Sequence, residues 1–134
     1  MNNIMNNIKF RAYIHELDEV CEVDEISYNE DGKFDIGIDG YADLFTSDEC
    51  DIEQFTGLID KNGKEIYEGD ICKVSCKFFD IKNQTSKVIF KNGCFCFQYG
   101  CTDDYVKTFN AWDLNSIEVI GNIHENKELM KGLC

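Results

Sequence analysis

The stretch Ser86-Lys87-Val88-Ile89-Phe90-Lys91-Asn92-Gly93-Cys94-Phe95-Cys96-Phe97-Gln98-Tyr99 decides the fold class. Two runs rich in branched and aromatic residues flank Lys91-Asn92-Gly93. Asn-Gly between alternating apolar segments is a strong hairpin signal, because both residues tolerate the positive φ that a tight corner demands. In an extended strand Cys94 and Cys96 share one face, and Phe95 and Phe97 share the other. Similar punctuation recurs upstream, at Asn29-Glu30-Asp31-Gly32, Asp39-Gly40 and Lys61-Asn62-Gly63. The chain has no proline, so its turns fall to Gly, Asn and Asp.

Between these corners the sequence predicts strands at residues 8–14, 26–28, 33–38, 71–74, 86–90, 94–99 and 117–123. Residues 43–55 are acidic and poorly periodic, and read as a loop with one helical turn capped by Ser47. Residues 80–84 read as a long hairpin loop. Residues 126–133 read as a short terminal helix capped by Asn126. Short strands with turns at close spacing argue for a small barrel or a sandwich.

The 134 residues carry 26 acidic and 13 basic side chains, a formal charge of -13. That balance opposes direct nucleic-acid binding, which needs clustered cations to neutralise phosphates. It also opposes docking on an anionic membrane. The start, MNNIMNNIKF, has no apolar h-region, and no apolar run approaches the ~20 residues needed to cross a bilayer. The expected location is the host cell cytoplasm. The eight cysteines are therefore expected as reduced thiols. Cys72 and Cys76 have tolerable zinc spacing, but Cys94, Cys96 and Cys101 do not supply the usual second pair, so neither a metal nor any other cofactor is expected.

Three segments resemble the YopX-like family of phage and prophage proteins. They are Ile8-Lys9-Phe10-Arg11-Ala12-Tyr13, the long run from Gln54-Phe55-Thr56-Gly57 through Asp60-Lys61-Asn62-Gly63-Lys64 to Glu68-Gly69-Asp70-Ile71, and Glu118-Val119-Ile120-Gly121-Asn122-Ile123-His124-Glu125-Asn126 followed by Leu129. The family usually has Trp where Tyr13 stands, and Tyr where Phe55 and His124 stand. The resemblance implies a mainly β protein. An N-terminal β region for oligomerisation (1–56) precedes an SH3-type small barrel (57–126) and a C-terminal tail (127–134) with a short helix. It further implies a self-associating protein of phages that infect low-GC Gram-positive bacteria, with no agreed activity. Gly57 and Gly69 mark points in the middle segment where the backbone excludes a Cβ.

No catalytic constellation emerges. His15 and His124 are the two histidines, and no phosphate-cradling loop, nucleophile elbow or zinc-protease helix is present. The expectation is a non-enzyme. In a strand from residue 8 to 14, Arg11 and Tyr13 share a face with Lys9, while Phe10 and Ala12 point the other way. A guanidinium beside an aromatic ring can hold an anion and stack a base, and Lys61 and Lys64 could add charge. Arg11, Tyr13, Lys61 and Lys64 are thus the candidate ligand-binding residues. The leading function is a counter-defence binder that sequesters a nucleotide-type immune signal as a homo-oligomer. The alternative is an acidic inhibitor that mimics DNA or docks on a basic host protein.

Overall fold

Alternation of apolar and polar residues builds eleven strands in the described part of the chain. The structure is a computed structural model and describes residues 8–76, 78, 80–101 and 105–133. Contacts divide the chain into two units, Met1–Phe55 and Thr56–Cys134. The boundary falls inside one strand, β5 (Cys50–Ile59).

The first unit holds β1 (Phe10–Ile14), β2 (Glu19–Tyr28), β3 (Phe34–Ile38), β4 (Phe45–Thr46) and the start of β5. They lie antiparallel in the order β4-β3-β2-β1-β5. Apolar residues in β2 change phase along the strand, from Cys21 and Val23 to Ile26 and Tyr28. A register shift between Val23 and Glu25 absorbs the extra residue, so all four face the same side. Ala12, Ile14, Ile36, Ile38 and Cys50 form the buried core of that side, with Leu17, Val23, Phe45 and Ile52 packed against them. The expected loop at 43–55 is therefore β4, a 3-10 turn at Ser47–Glu49 and the first half of β5. Its periodicity is obscured because Asp51 and Glu53 lie opposite Tyr13 and Arg11 in the register, on the face away from the core. Ser47 does not cap the turn. Its Oγ accepts from Phe34 N at 3.3 Å, and Glu49 Oε1 accepts from Thr46 N at 3.1 Å.

The second unit adds β6 (Glu65–Tyr67), which neighbours β5, and a five-stranded antiparallel sheet. That sheet contains β7 (Asp70–Cys76), β8 (Gln84–Lys91), β9 (Cys94–Gln98), β10 (Val106–Thr108) and β11 (Trp112–Asn122), in the order β10-β9-β8-β7-β11. The hairpin at Asn92-Gly93 forms as read. Lys91 pairs with Cys94, and the two corner residues take φ of 54° and 82°, both positive as a two-residue primed turn requires. Ile66, Cys72, Val74, Val88, Phe97, Trp112 and Ile117 form the core. Phe97 stacks on Phe109 at 4.6 Å between centroids and meets Trp112 edge-on at 5.8 Å. Each such burial is worth roughly 1.5–3 kcal/mol.

One expectation is met in part and another needs correction. Among the described residues β10 and β11 are the two edges of this sheet, so it is open and the closed part of the expected SH3-type barrel is not formed. Register shifts in the β11–β7 ladder, between Asp113 and Glu118 and between Val119 and Gly121, bend this edge without joining it to β10. The short C-terminal helix is a single 3-10 turn, Lys127–Met130. Asn126 does not cap it, because Asn126 Oδ1 accepts from Asn122 N at 3.1 Å instead. That side chain lies over Gly121, where a Cβ would come within 2.5 Å of Asn126 Oδ1, which explains the glycine.

Asp60 holds the middle segment in shape. Its Oδ1 accepts from Asn62 N at 2.8 Å and Lys64 N at 2.9 Å, closing the 60–64 corner, and Oδ2 accepts from Val119 N at 2.9 Å, tying the corner to β11. Asn29 builds the same corner in the first unit, its Oδ1 accepting from Asp31 N and Lys33 N, both at 3.0 Å. There the second atom is a donor, and Asn29 Nδ2 donates to Asp35 Oδ1 at 3.1 Å. The partner of the second atom thus selects Asp at one corner and Asn at the other. Burial raises the Asp60 pKa, but the N–H groups of Val119, Lys64 and Asn62, with the charge of Lys64, outweigh it and hold the carboxyl below its usual value. A carboxylate with a depressed folded pKa stabilises at pH above its unfolded value of about 3.9, and that stability is lost as the pH falls through the folded value. Asp60→Asn turns the acceptor facing Val119 N into a donor, and we expect it to cost about 1–3 kcal/mol at neutral pH. Urea titrations at pH 7 and pH 3 should show the gap between wild type and variant shrinking in acid. A gap that is equal at both pH values would refute this role.

Candidate functional site

Register places the predicted ligand residues on two different units. Arg11 and Tyr13 lie on β1 of the first, and Lys61 and Lys64 lie in the 60–64 corner of the second. Arg11 and Tyr13 do share a face, away from the core. Arg11 stands directly between Glu22 on β2 and Glu53 on β5. Its Nε donates to Glu53 Oε1 at 2.9 Å, and the two side chains are 11% and 6% exposed. The Tyr13 hydroxyl donates to Asp18. That hydrogen bond raises the tyrosine pKa, helped by partial desolvation and by the charges of Asp18 and Asp51. His15 Nε2 lies 3.0 Å from Asp51 Oδ1, and Lys9 Nζ sits 5.5 Å from the centre of the Phe55 ring. The cations of this face already serve carboxylates and a ring of the same unit. Lys61 Nζ lies 3.8 Å from Glu118 Oε2 at the exposed surface.

The opposite face of the first unit has a feature that the sequence did not reveal. Phe10, Ile26, Phe34, Ile36 and Ile52 line an open groove of about 430 Å³, and all five are apolar. Ile26 is 39% exposed and Phe34 46% exposed. Only the bulge in β2 brings Ile26 to this side, and that shift is not marked by any residue type. Charge is distributed just as unevenly. Residues 1–55 carry 15 acidic and 3 basic side chains, a net of -12, whereas residues 56–134 carry 11 and 10, a net of -1.

In the second unit Cys94 and Cys96 share a face as expected, with their sulfurs 3.8 Å apart. Cys21, Cys50, Cys72, Cys76, Cys94 and Cys96 are free thiols, but Cys101 is disulfide-bonded, which corrects the expectation of reduced thiols throughout. Among the described residues no group of three or more His, Cys, Asp or Glu side chains is placed to hold a metal. His124 belongs to a turn in which its N–H, with that of Glu125, donates to Asn122 Oδ1 at 3.0 and 2.9 Å. No described helix is long and apolar enough to cross a membrane.

Arg11 compensates a carboxylate that has little access to water. Removing one partner of a buried ion pair costs about 3–5 kcal/mol. Arg11→Met should destabilise the first unit on that scale, and Glu53→Gln in the same chain should restore most of the loss. Thermal unfolding of the two variants checks this, and a double variant as unstable as Arg11→Met would exclude it.

Comparison with known proteins agrees with the fold. The chain resembles protein EF1440 from Enterococcus faecalis at 28% identity and a TM-score of 0.58, with 92% of this chain and 97% of that one covered. It also resembles protein yopX from Bacillus subtilis at 22% identity and a TM-score of 0.62, with 92% and 98% covered. A search of curated proteins gives no match. The family model described as YopX protein matches residues 9–131, nearly the whole length, and on that evidence the chain belongs to the YopX family.

Proposed function

We propose that this protein acts by binding rather than by catalysis, and that its first unit docks a basic segment of another protein. The observation that carries this reading is the apolar groove lined by Phe10, Ile26, Phe34, Ile36 and Ile52 in a unit of net charge -12. Apolar side chains of a partner would fill the groove, and its Lys and Arg residues would complement the surrounding carboxylates. Glu30 and Asp31 stand at the exposed tip of the hairpin that ends beside Phe34. Charge of this density speeds encounter with a cationic partner. It also repels a second copy of the same unit, so the groove's occupant is a different protein. In the phage setting that the family resemblance implies, that occupant is a basic host protein, and the outcome is its inhibition.

Sequestration of a nucleotide-type signal finds less support. Phosphates need available cations, and Arg11 already serves Glu53, with Glu22 and Asp51 on the same face.

The test uses a synthetic peptide alternating Lys with Phe, and a control of equal charge with Ser in place of Phe. We expect the first to bind and the second to bind at least about tenfold more weakly, a factor typical of a buried aromatic anchor. Phe34→Ser with Ile26→Ser, both at exposed sites, should give the same loss in calorimetry while circular dichroism stays native. Raising the salt should weaken binding. Equal binding of both peptides, thermal stabilisation by nucleotides but not by the peptide, or a dimer that strengthens with salt and is lost in the Phe34 variant would each overturn the reading.

A further inference from the structure

We propose that Cys94 and Cys96 form a two-thiolate site for a soft, thiophilic metal ion. The pair lies on one face of β9, on the side of the sheet away from Phe97 and Trp112. Its sulfurs are 3.8 Å apart. Bonds of about 2.3 Å meeting at a tetrahedral angle separate two thiolate sulfurs by about 3.8 Å, so both thiols are already placed to share one ion. They open onto a cavity of about 220 Å³ lined by Lys91, Asn92, Cys94, Cys96, Val106 and Thr108. Thr108 lies opposite Cys96 in the register with β10.

The geometry favours an ion over a disulfide. Alternate residues of a strand, at a rise of about 3.3 Å each, sit about 6.6 Å apart at Cα, near the limit that a disulfide spans. It also favours an exchangeable ion over a structural one. Among the described residues no third His, Cys, Asp or Glu completes a set, so the remaining coordination positions face the cavity and are left to water or an external ligand. Lys91 lies opposite Cys94 in the register and lines the cavity, so its positive charge lowers the cost of a dithiolate there. Thiols bind metal as thiolates, so a metal must displace protons. Of the elements around the site, β8 places two titratable groups on this face, Lys91 opposite Cys94 and Lys87 opposite Gln98, and β10 contributes Val106 and Thr108, which do not titrate.

Cadmium is the probe, titrated anaerobically into the whole protein without reductant. We expect thiolate-to-metal charge-transfer absorption that saturates at one ion per chain with the release of two protons. Apparent affinity should fall by up to about 100-fold for each pH unit of acidification, as displacement of two protons requires. Cys94→Ser and Cys96→Ser should abolish the absorption, whereas Cys76→Ser should leave it intact. Cys94 is only half-buried, and circular dichroism of its serine variant shows whether the fold persists. Should that variant unfold, the proton count of the wild type decides: two protons per ion support the site, and none removes it. Absorption unchanged by Cys94→Ser in a folded protein, or absent from the wild type, overturns the proposal.

Discussion

The second unit depends on how one carboxylate is shared. Asp60 uses both oxygens on backbone N–H groups, and no other side chain could serve as well. A glutamate would be one methylene too long to close the corner, and an asparagine would place a donor against Val119 N. The segment around it looks like a site in sequence, with its Asp, Lys, Asn, Gly and Glu crowded together. In the fold those residues set geometry. Asp70 Oδ2 does a similar job by accepting from Tyr67 N at 2.7 Å, and Asn122 Oδ1 does it for the turn after β11. Ile123 N donates to Gly69 O at 2.9 Å, so two of the three segments that carry the family resemblance meet in one hydrogen-bonded framework. The resemblance is dense there because corners tolerate few residues, and it says little about what the protein binds.

Arg11 has the corresponding place in the first unit. The antiparallel register brings Glu22, Arg11 and Glu53 side by side in one row across β2, β1 and β5. Without the central cation, two carboxylates would flank an apolar or neutral residue, and one of them has little water to solvate it. A guanidinium suits this place better than a lysine, because its planar fork can face carboxylates on both sides while packing flat against the sheet. The same residue that suggested an anion site in sequence thus answers a need of the fold.

Strand and corner chemistry could be read from the sequence wherever one residue type has one physical meaning. Asn92-Gly93 gave its hairpin, and Gly57 and Gly69 both take φ of 87° as the absence of a tolerated Cβ foretold. The shared face of Cys94 and Cys96 followed from alternation alone. What escaped were features that depend on register between distant strands. Residues 50–55 looked like a loop because half of their side chains answer to β1 and not to the core. Groove residues Phe10, Ile26 and Phe34 come from three strands, and the bulge that aligns them has no signature of its own. Openness of the second sheet also lay beyond the sequence, since closure depends on accumulated twist and on the bulges in β11, and not on which segments are strands.

An exposed apolar groove on a sheet is a hazard as well as an opportunity. Phe34, Tyr28 and Ile26 present a surface that would favour association between copies, and β4 is the edge of that sheet. Two residues is a short edge, which limits pairing with another chain. Charge does the rest, since copies that each carry -12 in this unit repel at the distances where apolar contact would begin. A cationic partner reverses that sign and gains both the attraction and the groove. On the proposed reading, the acidic composition, which in sequence opposed nucleic acid, would act as the selector that favours basic partners over a second copy.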